Sequence, residues 1–422
     1  MSDQSLILAN AEQVLSQAQK LVNYLKENQS GEITFKATTA PTPNNSHYDA
    51  LRLPLAESLE DLNLLVNGPM QWLRKYICSF HELSAWQAAL RRRLFSLVPL
   101  DKPIHFRDLA TAADIDEDRL CRIMKVLTTR RCFEELTEGV FAHSSLSASI
   151  AQNKELELCT AFQLDEMFEA ASLLGDSIDQ NPHSYDPMTS PFAMRHGTSP
   201  YKWYAERPEK AARFMAGMAA YSQINRDNQI LMESYSWESV KEDKIVDMGG
   251  GSGHISLFLA KQYPNLEFIV QDVNPDMLAQ GPKFPGFVEV KDRVTFMQHD
   301  FFQPQPIPGS TAGLYFIRQI IHNYNDKDAA KIFLNLVPAL EQNAGKSRIL
   351  INDMVLPEAN KIRKVEENAL RQIDMAMLTG YGAKQRTVQE FEAVLKAADT
   401  RYEIVQVHAE GMLGLVEVRL QV

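Results

Sequence analysis

The sequence predicts an α/β protein whose C-terminal part is a doubly wound sheet ending in an antiparallel hairpin, preceded by a mostly α-helical region. Three observations support this fold class. From residue 244 onward, strand-like apolar segments alternate with amphipathic helical segments, which is typical of a parallel sheet covered on both faces. A glycine-rich loop follows the first of these strands. The last two strands follow each other without a helix between them, which predicts the hairpin.

The predicted strands are short segments rich in β-branched and aromatic residues. They are Ile245–Met248, Phe268–Val270, Arg293–Met297, Ala312–Ile317, Arg348–Asn352, Tyr402–Val407 and Gly414–Leu420. The first five alternate with helices and form the parallel part of the sheet, and the last two form the hairpin.

The glycine loop begins directly after the strand Ile245–Met248 and leads into a helix. Its glycines are Gly249, Gly250, Gly251 and Gly253. Glycines lack a Cβ atom, so the backbone N–H groups can approach a ligand closely at the N-terminus of the helix. Asp272, at the tip of the second strand, is placed to accept both hydroxyls of a ribose. The loop and the acid together predict a nucleoside-type site.

The spacing of the loop distinguishes two kinds of nucleoside ligand. A dinucleotide loop with the pattern G-x-G-x-x-G needs a glycine where this chain has His254. The pattern Asp247-x-Gly249-x-Gly251-x-Gly253 instead resembles the first motif of class I S-adenosylmethionine (SAM) methyltransferases. The resemblance implies that Asp247 accepts a hydrogen bond from the amino-acid end of SAM.

Length, charge and cysteine content bound the class of protein. The 422 residues suffice for two or three domains with buried cores. The formal net charge of −11 disfavours nucleic acid and anionic membranes as partners. No apolar run reaches the roughly 18–20 residues that a membrane span needs, and no secretory signal is visible. The cysteines stand singly, without metal-ligand spacing, at Cys78, Cys121, Cys132 and Cys159. We therefore expect a cytoplasmic protein with reduced thiols and no metal site.

The chain divides into three predicted parts. Residues 1–50 form an N-terminal extension of one helix and a linker, residues 51–190 a helical domain, and residues 191–422 the sheet domain. Within the helical domain, a helix at Phe106–Ala112, a second helix and a hairpin over residues 132–142 describe a winged-helix module. A DNA-binding module needs a basic recognition helix, whereas the second helix begins with several acids. We interpret the module as a scaffold or a dimerisation domain.

Three further motifs make the resemblance specific. They are Val294–Phe302 (V-T-F-M-Q-H-D-F-F), Arg318–Asp326 (R-Q-I-I-H-N-Y-N-D) and Gly382–Thr387 (G-A-K-Q-R-T). With them, residues 51–422 resemble the plant- and fungal-type small-molecule O-methyltransferases. That family implies a SAM-dependent homodimer with an N-terminal winged-helix dimerisation domain and a C-terminal Rossmann-like catalytic domain. It also implies methyl transfer to a hydroxyl, phenolic or polyketide-like, of a small secondary metabolite.

The resemblance assigns a cofactor site residue by residue. The implied contacts are Asp247 to the amino-acid end, Gly249 and Gly251 through their backbone, Asp272 to the ribose, Asp300 to the adenine amino group, Phe301 to the adenine ring, and Arg318 beside the cofactor, where the family usually has Lys. Asp247 lies within the first predicted strand, and the other residues follow predicted strands of the sheet.

The resemblance also implies a catalytic site. His322 falls on the general base of the family, Asp353 on the first flanking acid, which is usually Glu, and Gln385 replaces the second acid. Histidine suits proton removal at neutral pH, because its ordinary pKa is about 6.5, and a carboxylate would hold its tautomer. The alternative is a structural histidine close to the helix cap at Asn325. The substrate side of the site is predicted from apolar residues and one histidine, at His143, Phe162, Met167, Phe192, Met218 and Met375.

Two other functions stay open. Some relatives of this fold bind SAM but catalyse cyclisations or pericyclic rearrangements without methyl transfer. Asn323, where the family has Asp, and Gln385 are compatible with that alternative, whereas an intact His322 favours methylation. A non-catalytic dimeric binding protein would leave both the base and the glycine loop unexplained.

Overall fold

The computed structural model describes residues 5–240, 244–343, 346–409 and 411–421. The chain divides into two compact units. The first unit comprises Met1–Ser172, Tyr201–Ile224 and Ile362–Glu366, and the second comprises Leu173–Pro200, Asn225–Lys361 and Glu367–Val422. None of the helices in the described ranges has both the length and the hydropathy needed to cross a membrane. Residues 1–4 of the predicted extension lie outside the described residues.

The compact units divide the chain differently from the predicted domains. The first unit ends at Ser172 and then includes Tyr201–Ile224 again. The reason is that the helix Pro208–Ile224 packs along Lys154–Phe162. Boundaries drawn along the sequence cannot represent a segment that returns to an earlier unit. The division at residues 50 and 190 therefore stays a prediction.

Helices make up most of the first unit. They are Leu6–Glu27, Ser46–Ile77, Ser79–Arg91, Leu94–Leu97, Phe106–Ala113, Glu117–Thr129, Ser145–Gln152, Lys154–Phe162, Phe168–Ala171 and Pro208–Ile224, with a π-helical turn at Gln163–Met167. The long helix Ser46–Ile77 is interrupted at Gly68, where φ is 64°, just before a proline. The helices Pro200–Ala205 and Lys364–Tyr381 contain points at which the chain passes between the units.

The predicted winged-helix pattern is present in the first unit. Its strands are β1 (Ile104–His105), β2 (Phe133–Thr137) and β3 (Val140–His143), which form an antiparallel sheet in the order β1-β3-β2. The helix Glu117–Thr129 begins at Asp116, whose side chain accepts a hydrogen bond from the Arg119 N–H. Its buried residues recur every three or four positions, so one face of the helix packs against the core of the module.

The second unit contains the predicted sheet. Its strands are β4 (Lys244–Met248), β5 (Glu267–Asp272), β6 (Val294–Gln298), β7 (Ala312–Arg318), β8 (Arg348–Asp353), β9 (Val355–Leu356), β10 (Arg386–Thr387), β11 (Tyr402–His408) and β12 (Gly414–Leu420). Among the described residues, seven of these strands form one sheet in the order β11-β12-β8-β7-β4-β5-β6. Strands β4 to β8 are parallel, and β12 pairs antiparallel with both β8 and β11. The predicted α/β fold class is confirmed.

Helices cover both faces of this sheet, which is why its central strands are apolar almost throughout. The helices of the second unit are Leu174–Gln180, Pro191–His196, Asp227–Glu233, His254–Gln262, Pro275–Leu278, Phe287–Val290, Asp326–Leu334, Val337–Glu341 and Val388–Ala398, with short 3₁₀ turns at Pro187–Thr189, Trp237–Ser239, Gly281–Lys283 and Ile321–Asn323. One hydrophobic core lies between the sheet and Asp326–Leu334 with Val388–Ala398, and another lies beneath His254–Gln262.

A short parallel ladder joins β9 and β10, and the sequence did not predict it. Arg386 lies opposite Val355, and Thr387 lies opposite Leu356. Strand β9 begins two residues after Asp353, the last residue of β8. The ladder therefore brings Gln385 and Arg386 beside the carboxyl end of β8.

Candidate active site

The site lies at the carboxyl edge of the central parallel strands. Strands β7, β4, β5 and β6 are neighbours in that order, so the loops that leave their carboxyl ends converge. The predicted cofactor residues all lie at this edge, with Asp247, Gly249 and Gly251 at the end of β4, Asp272 at the end of β5, Asp300 and Phe301 after β6, and Arg318 at the end of β7. The structure thus brings together residues that are spread over about 70 positions of the chain.

Geometry explains two of the glycines in the loop. Gly249 has φ of 72°, and a Cβ atom there would lie 2.7 Å from Cδ1 of Ile320. At Gly250, a Cβ atom would lie 2.5 Å from Oδ2 of Asp247. The loop therefore stays free of side chains directly before the helix His254–Gln262, whose first N–H groups lack partners within the helix.

Asp247 is a buried carboxylate below the loop. Ser256 donates a hydrogen bond of 2.6 Å from its hydroxyl to Oδ2 of Asp247. Burial raises the pKa of Asp247 to about 6, against the opposing effects of the Ser256 bond and the Arg318 charge. A cation bound beside Asp247 would favour the ionised form. Ser256 was missed by the sequence reasoning, although it faces Asp247 from the first turn of the helix that follows the loop.

Asp272 closes the loop from the neighbouring strand. Its Oδ2 accepts a hydrogen bond of 3.0 Å from the Gly251 N–H, and its Oδ1 accepts one of 2.8 Å from the Asn274 N–H. A carboxylate has about four lone-pair sites, so both oxygens keep capacity for the hydroxyls of a ribose. The side chain is partly exposed, in keeping with such a role.

Asp300 and Phe301 follow β6 on the next loop. Oδ1 of Asp300 accepts a hydrogen bond of 2.9 Å from the Phe302 N–H, which fixes the turn. The ring of Phe301 reaches the glycine loop, since its Cε1 is 3.3 Å from the position of a Cβ atom on Gly249. Phe301 also makes an edge-to-face contact with Tyr324, with the ring centroids 5.8 Å apart. These rings form an aromatic wall beside the loop.

Arg318 supplies a positive charge at the centre of the edge. Its guanidinium donates a hydrogen bond to Oδ1 of Asn352 on β8. Burial lowers the pKa of Arg318, and the charges of Asp227, Asp247 and Asp353 oppose this. Arginine nevertheless stays charged at neutral pH, because its ordinary pKa is above about 12. Arg318 thus offsets the negative charge of Asp247 below the glycine loop and of Asp353 at the end of β8.

His322 lies in the 3₁₀ turn Ile321–Asn323, between β7 and the helix Asp326–Leu334. Its Nδ1 is 3.1 Å from Oδ1 of Asp353, and its backbone N–H donates to Oδ2 of the same carboxylate at 3.2 Å. Nε2 of Gln385 also lies 3.1 Å from Nδ1. The imidazole ring is 12% exposed and the Asp353 side chain is 0% exposed. The structure therefore brings all three predicted catalytic residues together.

The hydrogen on Nδ1 decides what this cluster can do. Burial raises the pKa of Asp353, and the nearby His322 and Arg386 oppose this. If Nδ1–H donates to Asp353, then Nε2 carries the free lone pair that a general base needs. The Gln385 amide is compatible with either tautomer, because turning it by 180° exchanges a donor for an acceptor. As the groups stand, neither Oε1 of Gln385 nor Oδ1 of Asp353 meets hydrogen-bond geometry with a described group, so the 3.1 Å approach of Nδ1 to Oδ1 is a close contact of the imidazole with the carboxylate.

Arg386 is a further residue of the cluster, to which the sequence reasoning gave no role. Its side chain is 1% exposed, and its guanidinium donates to the carbonyls of Ile321 and Tyr324 on either side of His322. It also donates twice to Oδ1 of Asp326. The available signal was its place directly after Gln385 in the motif G-A-K-Q-R-T.

The residues present at this edge fit SAM. The loop around Gly249 and Gly250 is a cradle that a Cβ atom would fill, and it lies between the carboxylate of Asp272 and the ring of Phe301. Asp247 offers a buried negative charge for an ammonium group. SAM carries these three parts, namely ribose, adenine and an amino-acid end.

The predicted substrate residues are divided between the units. His143, Phe162, Met167 and Met218 belong to the first unit, whereas Phe192 and Met375 belong to the second. Both ring nitrogens of His143 are engaged within its own unit, at 2.9 Å from Oγ of Ser147 and 2.9 Å from the Val98 carbonyl. Burial lowers the pKa of His143, so it is neutral at pH 7. This geometry favours a structural histidine in the winged-helix core.

Three comparisons with known proteins show the family and the fold to which the chain is similar. The family model described as an O-methyltransferase domain matches residues 173–401. O-methyltransferase sol2 of Alternaria solani is 42% identical over 412 residues, which cover 98% of this chain and 95% of that protein. The crystal structure of OxaC in complex with sinefungin and meleagrin is 20% identical, covers 100% of both chains, and has a TM-score of 0.78.

The fold also occurs in a protein with a different reaction. A structure described as a pericyclic reaction enzyme is 21% identical, covers 88% of this chain and 94% of its own, and has a TM-score of 0.68. Likeness at this level of identity shows the fold alone.

Proposed function

The chain belongs to the O-methyltransferase family and uses S-adenosylmethionine; from this premise, we propose that it methylates a hydroxyl of a small secondary metabolite with His322 as the general base. The observation that supports this most directly is the convergence of Asp353 on Nδ1 of His322, at the same sheet edge as the cofactor residues. We propose a phenolic or polyketide-like acceptor, in keeping with the apolar residues predicted for the substrate side.

Bound SAM supplies an electrophilic methyl group, so the chain itself needs to orient the acceptor oxygen and remove its proton. His322 accepts that proton at Nε2 while Nδ1–H donates to Asp353. The buried carboxylate stabilises the imidazolium that results, as a charge-assisted hydrogen bond does. Gln385 adds a neutral hydrogen-bonding group to the same nitrogen.

The experiment is incubation with methyl-labelled SAM and a panel of phenols, hydroxybenzoates and hydroxynaphthalenes, followed by mass spectrometry. A labelled product heavier by one methylene unit supports the proposal. SAM binding by calorimetry without any methylated product, across a panel that includes aliphatic polyketide alcohols, would contradict it.

The second candidate is a SAM-bound cyclase on the same fold, and one observation favours it. Among the described residues, the carboxylate of Asp353 alone contacts Nδ1 of His322, because Gln385 occupies the second position. Such an enzyme would leave SAM unconsumed and give an isomer of unchanged mass. The mass of the product therefore separates the two candidates.

We also infer that the protein is a homodimer through its first unit. Apolar residues at helical spacing, Met70, Leu73, Ile77 and Phe80, are exposed on consecutive helices, with Met70 75% and Ile77 57% exposed. Sedimentation of wild type should give a dimer, and Met70→Glu with Ile77→Glu should give a monomer of 47.8 kDa. Val288→Glu is the matched control, because Val288 is 76% exposed in the second unit. A monomeric wild type at micromolar concentration would refute the inference.

A further inference from the structure

Arg386 is a buried residue whose guanidinium donates to the backbone on both sides of His322. A fully buried guanidinium is costly unless its donors are satisfied, and here acceptors lie around it in three directions. Nη1 donates to the Ile321 carbonyl at 3.0 Å and Nη2 to the Tyr324 carbonyl at 2.8 Å. Nε and Nη2 donate to Oδ1 of Asp326 at 3.0 Å and 2.8 Å.

These acceptors bracket the residue that carries the imidazole. Ile321 directly precedes His322, and Tyr324 lies two residues after it. On the opposite side of the same turn, the His322 N–H donates to Asp353. The short turn is therefore held by its N–H side on a carboxylate and by its carbonyl side on a guanidinium.

The ladder between β9 and β10 determines where the guanidinium stands. Arg386 pairs with Val355, two residues after Asp353, so the backbone positions of both groups are fixed by one short sheet. The rigid, planar fork of arginine can reach two carbonyls and a carboxylate at once, whereas a lysine ammonium is a point charge on a flexible stem.

We propose that Arg386 is a positioning residue, which holds the turn Ile321–Asn323 by the carbonyl of Ile321 and by that of Tyr324 directly after the turn, and so keeps Nδ1 of His322 beside Asp353. This inference rests on the proposed role of His322 as the base. Arg386 acts through His322 and contacts neither the acceptor nor the cofactor. Its loss should leave SAM binding intact. The imidazole ring should then be free to rotate away from Asp353, and its proton should exchange between Nδ1 and Nε2.

Lys384 offers a matched control. Its Nζ binds the other oxygen of Asp326 at 3.1 Å and Glu390 at 2.9 Å, but it binds neither carbonyl of the turn. Lys384→Met therefore removes a charge beside Asp326 and leaves the carbonyl contacts of Arg386 in place, whereas Arg386→Lys keeps the charge and removes the planar fork that reaches both carbonyls. Arg386→Gln, whose amide can replace one carbonyl contact, serves as the second variant if Lys is not tolerated.

The test is nitrogen NMR of ¹⁵N-histidine-labelled full-length protein, with the His322 signals assigned by their loss in His322→Asn. Wild type and Lys384→Met should show a single tautomer with an unprotonated Nε2. Arg386→Lys should show shifts averaged between the tautomers, with unchanged SAM affinity by calorimetry. On a methyl acceptor from the panel, kcat should fall by up to about 100-fold while KM changes little.

Two outcomes would overturn the proposal. One is an Arg386→Lys or Arg386→Gln variant that binds SAM normally and keeps the wild-type His322 signals. The other is an equal change of these signals in Asp326→Asn or Lys384→Met, which would assign the effect to the ion pair instead. Because the signals are read without turnover, a failure of the methyl-transfer proposal would not be mistaken for a failure of this one.

Discussion

The two halves of the site are built in different ways. The cofactor edge, which we define as Asp247, the loop 249–253 and Asp272, uses one stretch of 26 consecutive residues, in which two carboxylates flank a backbone loop. The base cluster, which we define as His322, Asp353, Gln385 and Arg386, uses side chains from segments 31 and 63 residues apart. The first half depends on local geometry, and the second depends on long-range pairing. The two should therefore respond separately to substitution.

The largest expected effect lies in the base cluster. His322→Ala should lower kcat by about 10²–10⁴-fold, the usual range for a lost acid–base group, and should leave SAM affinity unchanged. Raising the pH should partly restore the rate of the variant on a phenol, because a phenolate forms unaided near a pKa of about 10. Steady-state kinetics and calorimetry on the same preparation check both parts. An equal loss of SAM affinity would show that the two halves are not separate.

The next effect concerns the cofactor edge. Asp272→Ala should weaken SAM binding by about 10- to 100-fold, because hydrogen bonds to charged groups contribute about 1.5–3 kcal/mol. Part of the loss comes from the Gly251 N–H, which donates to this carboxylate in the structure. Asp276→Ala, an exposed acid in the following short helix, is the control and should bind normally. Calorimetry that finds equal affinities would remove Asp272 from the site.

The third prediction concerns the pH dependence of SAM affinity at the cofactor edge. Because burial raises the pKa of Asp247 to about 6, protonation at lower pH removes the charge that faces the SAM ammonium. Between pH 7 and pH 5 the ionised fraction falls about tenfold, so SAM affinity should fall about tenfold. Asp247→Asn should bind more weakly at pH 7 and lose this dependence.

The apo protein should show the opposite sign. A raised carboxyl pKa means that the folded state holds a proton that the unfolded state has released, so Asp247 contributes stability below about pH 4 that is lost as the pH rises to about 6. The melting temperature of wild type relative to Asp247→Asn should therefore fall between pH 4.5 and pH 6.5. A constant difference would contradict the assigned burial.

The smallest effect should come from Gln385→Glu. A second carboxylate beside Nδ1 of His322 would stabilise the imidazolium, so the pH at which the rate rises should move upward by about one unit. SAM affinity should not change, since Gln385 belongs to the base cluster alone. A pH–rate profile of the variant against wild type measures the shift, and a change in SAM affinity with an unmoved profile would place Gln385 at the cofactor instead.

Most of the strands and the whole cofactor edge were predictable from the sequence. The strands β4 to β8 and the hairpin begin and end within about two residues of the predicted positions. The glycine loop could be predicted because a strand, a turn with positive φ and the start of a helix are all local features of the sequence. Resemblance to the family then supplied His322, Asp353 and Gln385 as candidates, without their mutual geometry.

Only the tertiary structure decided how distant segments meet. The β9–β10 ladder has two residues in each strand, which is too short to leave a periodic pattern, yet it places Gln385 and Arg386 beside Asp353. The return of Tyr201–Ile224 to the first unit likewise depends on packing between distant helices. The role of His143 depends in part on the Val98 carbonyl, 45 residues away, and that of Arg386 on two backbone carbonyls, which any sequence has at every position. The sequence by itself determined the local elements because their periodicity is local, whereas side-chain partnerships required the closed fold.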